Sequence, residues 1–163
     1  MAKYNIVHSK KEGLAVIKYK KNIFSKMQWG VDDEKNDFIL YTGKFEDVRV
    51  LNINLIARKI KIGKDKFKWE LAKRSGERIC PPKYDECPEF IIRTWISSNV
   101  ENYFYIAPVD GLYTIINGAG YQLCKPKYES IQRDFYGDGF LKGLRTGTWY
   151  KLNKKAVELE RLW

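Results

Sequence analysis

Ile79-Cys80-Pro81-Pro82-Lys83-Tyr84-Asp85-Glu86-Cys87 returns 44 residues later in a near copy, Leu123-Cys124-Lys125-Pro126-Lys127-Tyr128-Glu129-Ser130-Ile131. A repeat of that length marks one supersecondary unit used more than once, because a single copy is too small to bury an apolar face alone. The same offset sets Phe67 on Gly111, Trp69 on Tyr113, Leu71 on Ile115, Gly76 on Gly120 and Pro82 on Pro126. Gly76 and Gly120 then belong in turns that need positive φ, and the prolines keep the preceding residue extended as the chain leaves a strand. A weaker copy, Lys44-Phe45-Glu46-Asp47-Val48, lies 39 residues before Lys83-Tyr84-Asp85-Glu86-Cys87. A partial fourth copy sets Leu112-Tyr113-Thr114-Ile115 beside Trp149-Tyr150-Lys151-Leu152 at an offset of 37.

Between the copies, apolar residues recur with period two, the mark of strands. Residues 4–9 and 13–19 read as two strands around Lys10-Lys11-Glu12-Gly13, and residues 38–41 as another after the charged turn 32–37. Residues 48–62 read as mainly β, with a bulge where the parity slips. Within 58–71, Gly63-Lys64-Asp65-Lys66 turns a hairpin; Phe67, Trp69 and Leu71 face inward, while Lys59, Lys61, Lys66, Lys68 and Glu70 form a basic outer surface. Residues 154–163 alternate as a terminal strand that caps the stack, against the helix propensity of Ala, Glu and Leu. The expected fold is all-β: three to four antiparallel hairpin units with a period of 37–44 residues, stacked into a solenoid-like or barrel-like sheet. No low-complexity linker divides the chain, so a single repeat domain over residues 1–163 is expected.

With 163 residues, 44% of them hydrophobic and 15% aromatic, the chain can bury a sizeable core. No run of about 18 apolar residues and no basic-then-apolar start is present, so neither a spanning helix nor a signal peptide is expected, and the cytoplasm is the expected compartment. Three cysteines fit reduced thiols better than a disulfide framework. The net charge of +10 is striped, reaching +6 in residues 1–26 and +6 in residues 51–75, with −3 between them. Such stripes favour acidic partners, whether nucleic acid, an anionic membrane surface or an acidic protein, and weigh equally as plain solubility.

A turn glycine that leads into Pro-x-Lys-Tyr-Asp/Glu, preceded by an aromatic-containing strand, resembles the bacterial WG repeat, a β-hairpin-rich unit. The matching pieces are Glu12-Gly13-Leu14-Ala15-Val16, Trp29-Gly30-Val31, residues 76–85, residues 120–129, and Gly139-Phe140-Leu141 with Trp149-Tyr150. The dipeptide that names the family stands at Trp29-Gly30. The resemblance implies an all-β repeat fold used for interaction, with no catalytic residues to transfer.

Catalytic and metal constellations are not expected. His8 is the lone histidine, and on an alternating strand it reads as a packed or surface side chain. Cys80 and Cys87 lack zinc-knuckle spacing, and with Cys124 they read as small apolar packing residues. Gly137-Asp138-Gly139 and Gly143-Leu144-Arg145-Thr146-Gly147 lack the strand–glycine–helix context of a phosphate loop and read as turns. The acidic clusters Asp32-Asp33-Glu34 with Asp37, and Asp85-Glu86 with Glu89, do not follow the calcium-loop pattern and read as solvated turns.

What remains is basic plus aromatic. Lys59, Lys61, Lys64, Lys66 and Lys68 of the hairpin, with Lys18, Lys20 and Lys21 near the N-terminus, are the candidate contacts for an anionic partner. Like charges held near one another across strands cost stability, so a surface kept that way points to a partner. Trp95, Tyr103, Tyr105 and Trp149 could stack bases if exposed, while Trp69, Tyr113 and Tyr150 read as core. The expected function is a non-enzymatic interaction module with no cofactor, a small basic regulator or inhibitor docking on an acidic protein or ribonucleoprotein, with a bacterial or phage conflict system as a setting. The alternative is direct binding of RNA or single-stranded DNA through the lysine hairpin.

Overall fold

The computed structural model describes residues 4–11, 13–20, 25–33, 36–41, 43–93, 103–133, 141–153 and 155–162. Every regular element among them is a strand: β1 (Tyr4–Lys11), β2 (Leu14–Tyr19), β3 (Gln28–Asp33), β4 (Asn36–Tyr41), β5 (Asp47–Asn52), β6 (Leu55–Gly63), β7 (Lys66–Lys73), β8 (Arg78–Tyr84), β9 (Glu89–Arg93), β10 (Tyr103–Val109), β11 (Leu112–Asn117), β12 (Ser130–Arg133), β13 (Leu141–Arg145), β14 (Thr148–Leu152) and β15 (Glu158–Arg161). They form four sheets in sequence order, β1 to β4, β5 to β8, β9 to β11 and β12 to β15, and the described strand registers are antiparallel. Short connections between sequential neighbours make this arrangement follow from local hairpin formation. The chain divides into two compact units, residues 1–83 and 84–163.

In the first unit Leu14, Val16, Trp29, Val31 and Tyr41 from one sheet pack with Val48 and Ile56 from the other. Each such buried aliphatic side chain contributes about 1.5–3 kcal/mol. Two polar ties join the same sheets: the Tyr41 hydroxyl donates to the Arg74 carbonyl at 2.9 Å, and Arg74 Nη1 lies 2.6 Å from Asp33 Oδ2. Burial, opposed by the nearby Arg58 and Arg74 guanidiniums, holds the Tyr41 phenol well above its ordinary pKa. The second unit has its own core of Phe104, Ile115, Tyr128, Ile131, Leu141, Leu152 and Ala156, with Cys124, Tyr113 and Tyr150 packed against it.

Residues 48–62 fall in two strands, and the β5–β6 pairing shifts register between Val50 and Asn52, where the slip in parity places a bulge. β5 and β6 join through Ile53-Asn54, where Asn52 Oδ1 accepts from the Asn54 N–H at 2.9 Å. That asparagine-capped turn lies inside an apolar run, which is why periodicity alone reads past it.

Three later turns share one hydrogen-bond pattern. Lys73 N–H donates to the Glu77 carbonyl, Asn117 N–H to Tyr121 and Asn153 N–H to Val157, at 2.8, 2.9 and 3.0 Å. Inside each, Gly76, Gly120 and Ala156 donate back to Lys73, Asn117 and Asn153, with φ of 93°, 90° and 59°. The glycines therefore occupy the left-handed positions expected of them. The last hairpin aligns at an offset of 36 rather than 37: Thr146-Gly147 falls on Asp110-Gly111 and Asn153 on Asn117, which sets alanine where the other copies have glycine. Gly143 is not in a turn: it lies within β13, where a Cβ would come 2.5 Å from Tyr128 Cδ1, so its missing side chain makes room for that ring.

Candidate functional site

The hairpin of β6 and β7 has a buried root and an exposed end. At the root Leu55, Ile56 and Ala57 are buried in succession, as are Glu70, Leu71 and Ala72, so both faces of the strand pair are covered. Glu70 does not face outward with the lysines. It is fully buried between Arg58 Nη2 and Arg78 Nε, each 2.6 Å from one of its oxygens, and Arg58 also donates to the Gly76 carbonyl at 3.0 Å. At the other end, residues 61–66 are all exposed. β5 pairs with β6 no further than Asp47 opposite Lys59, and Glu46 N–H closes that edge on the Lys59 carbonyl at 2.9 Å. The turn puts Asp65 at φ 54°, a left-handed position that aspartate tolerates better than branched residues.

Register divides the lysines between two faces. Residues directly opposite in an antiparallel pair share a face. Lys59 is opposite Trp69 and Lys61 opposite Phe67, so these lysines lie on the aromatic face rather than across from it. Lys68 is opposite Ile60, and Lys66, two residues before it, shares that second face. Lys64 is in the turn. The single basic surface expected from alternation is thus corrected to two, because the strand pairing matches Lys59 and Lys61 with aromatic partners. The Lys59 ammonium sits 5.1 Å from the Phe67 ring centroid, which offsets part of the cost of its partial burial.

Of the N-terminal lysines, Lys18 belongs to the other sheet of the unit. Lys18, in β2, lies 4.4 Å over the Trp29 ring and packs there. Lys20 is exposed just after β2, and Lys21 lies outside the described residues, as do Trp95 and the side chain of His8. Of the other candidate stacking aromatics, Tyr105 is buried, Tyr103 is half-buried edge-on to Phe90, and Trp149 is half-buried under the Lys142 ammonium at 5.1 Å. Trp69 is buried, and Cys80, Cys87 and Cys124 are half-buried.

The Lys-Tyr-acid motif ties the chain to the hairpin that follows it. The residue after the aromatic donates its N–H to the next hairpin: Glu46 to Lys59, Asp85 to Pro108 and Glu129 to Leu144, at 2.9, 2.8 and 2.8 Å. In the two strong copies the acid side chain also caps the following two-residue turn. Asp85 Oδ2 accepts from the Gly111 N–H at 3.1 Å, and Glu129 Oε1 from the Thr146 N–H at 2.6 Å. Both turns have positive φ at both central residues, Asp110-Gly111 and Thr146-Gly147, the hairpin form that matches strand twist. The sequence marked the motif without indicating that its acid is a turn cap.

Around Tyr128 the joint carries a charge cluster. Glu158 Oε1 accepts from Lys127 Nζ at 2.9 Å and from the Tyr128 hydroxyl at 3.1 Å, and Arg145 Nη2 lies 3.2 Å from Oε2. Burial first, then the Glu158 carboxylate, raises the Tyr128 phenol well above its ordinary pKa. For Glu158 desolvation acts upward, but Lys127, Tyr128 and Arg145 together outweigh it and hold the carboxyl below its usual range. In the second unit Glu86, Cys87, Glu89, Glu129 and Ser130 are among the residues that line a cleft of about 190 Å³. Among the described residues no group of three or more His, Cys, Asp or Glu is placed to hold a metal ion, and no helix is long and apolar enough to cross a membrane.

No protein-family model, curated protein or solved structure matches this chain.

Proposed function

We propose that this protein is a non-enzymatic docking module, a small basic regulator or inhibitor that engages an acidic protein or ribonucleoprotein through the lysine-bearing end of the β6–β7 hairpin. One observation carries the reading: an uninterrupted exposed run, residues 61–66 with Lys61, Lys64 and Lys66, stands on a root buried on both faces. A rigid root limits the entropy lost when the end is held, and exposed ammonium groups speed encounter with an anionic surface. We also read the hairpins as copies of one repeat of the WG kind; the three matching turns and the three matching joints support that reading. Co-purification from native lysate at low and raised salt tests the docking role. The expected outcome is a discrete acidic partner recovered by the wild-type chain, released as salt rises, and lost from a K61E/K64E/K66E variant. Recovery of the chain alone at low salt, or undiminished recovery by the variant, would overturn it.

A further inference from the structure

We infer that the anionic partner of the β6–β7 hairpin is duplex DNA, whose major groove receives the hairpin end. The inference rests on the exposed hairpin end proposed above as the docking surface and gives that end a partner of another class than the acidic protein or ribonucleoprotein. The decisive feature is that the cations do not lie in one plane. Lys59 and Lys61 occupy the face of Phe67 and Trp69, Lys66 and Lys68 the face of Ile60, and Lys64 lies in the turn between them. Residues 59–68 hold five lysines and one aspartate, a net charge of +4.

A flat acidic surface meets one face of such a hairpin and leaves the other turned away, at a distance where salt screens most of the attraction over about 8–10 Å. A groove between two rows of phosphates meets both faces at once. The major groove of B-form DNA is about 12 Å wide and admits a pair of β-strands, whose axes lie about 4.8 Å apart. The A-form major groove of duplex RNA is too narrow and deep for the same entry. Single strands are held chiefly by stacking bases on open aromatic rings. Phe67, the aromatic residue nearest this end, is half-buried and covered by the Lys59 ammonium, so it offers no open ring. Ile62, half exposed at the end, suits the thymine methyl edge. Lysines directed at phosphates make the recognition largely independent of base sequence.

Fluorescence anisotropy with a labelled DNA duplex of about 20 base pairs, the matching single strand and the matching RNA duplex tests this on the full chain. The DNA duplex should bind tightest, with log K falling against log salt at a slope of about −3, close to 0.9 for each phosphate met by the exposed Lys61, Lys64 and Lys66. K61E and K66E, one on each face, should each weaken binding on every sequence and reduce the slope by about 1. Circular dichroism and thermal melting establish that both variants remain folded, and both positions are exposed. Binding of the single strand or the RNA duplex as tight as that of the DNA duplex overturns the inference. So does sensitivity to only one of the two faces, or no binding at low salt. If DNA is not bound while a salt-released acidic protein is recovered by the wild type and lost from K61E/K64E/K66E, the docking role stands and the groove inference alone fails.

Discussion

Ala156 is a residue out of keeping with its backbone. It sits at φ 59° in the third of the matching turns, at the position Gly76 and Gly120 hold in the first two. A side chain in the left-handed region costs about 1–2 kcal/mol, and relieving it with glycine forfeits about 0.5–1 kcal/mol of that gain, because glycine is freer in the unfolded chain. Ala156→Gly should therefore stabilise the protein by about 0.5–1 kcal/mol, read as a higher midpoint in urea denaturation. An unchanged or lower midpoint would mean that the packing of the alanine methyl outweighs the backbone. The two turn glycines could be located from sequence because glycine matched glycine at one offset. The third turn has no glycine to match; what it shares with the second is a side-chain cap, Asn153 over Asn117, which a search for glycine does not register.

At the level of elements, β6 and β7 are where alternation misleads. Lys66, Lys68 and Glu70 occupy every second position, so the pattern assigns all three to solvent. Along the strand the environment changes instead: the exposed end passes into a root with both faces covered, and Glu70 enters it only because Arg58 and Arg78 hold both oxygens. Burying a carboxylate is tolerated when it is paired, and removing one partner leaves an uncompensated charge. Glu70→Ala should strand the Arg58 guanidinium, which is almost fully buried, and destabilise the protein by about 3–5 kcal/mol. Chemical denaturation measures this, and a loss under about 1 kcal/mol would mean that the Gly76 carbonyl and the Tyr41 and Phe45 rings suffice for Arg58. The position of the hairpin itself was legible from Gly63-Lys64-Asp65-Lys66. The register that splits its lysines was not, because it depends on which residues pair across the turn.

For the whole molecule, the all-β class follows from period-two patterning and turn chemistry repeated along the chain. The division into two units has no corresponding mark in composition. It falls between Lys83 and Tyr84, inside the motif, with no glycine-rich or charged linker there. Each unit buries a core of its own, and the second also closes on a charge cluster that brings together the motif lysine and tyrosine, β13 and the terminal strand β15 through Glu158. The sign of its effect on stability follows from the lowered Glu158 pKa. The unfolded chain takes up a proton near the ordinary carboxylate value of 4.5, while the folded chain does so only at lower pH. Folding is therefore favoured by this group above that value, and the contribution is lost as pH falls below it toward the folded pKa. Melting followed by circular dichroism between neutral pH and about pH 3 should show a lower midpoint at acid pH for the wild type. Glu158→Gln, which keeps the shape but carries no charge, should start from a lower midpoint at neutral pH and lose less on acidification. Parallel curves for the two chains would mean that the cluster contributes through packing and neutral hydrogen bonds, and that acid sensitivity arises from other carboxylates.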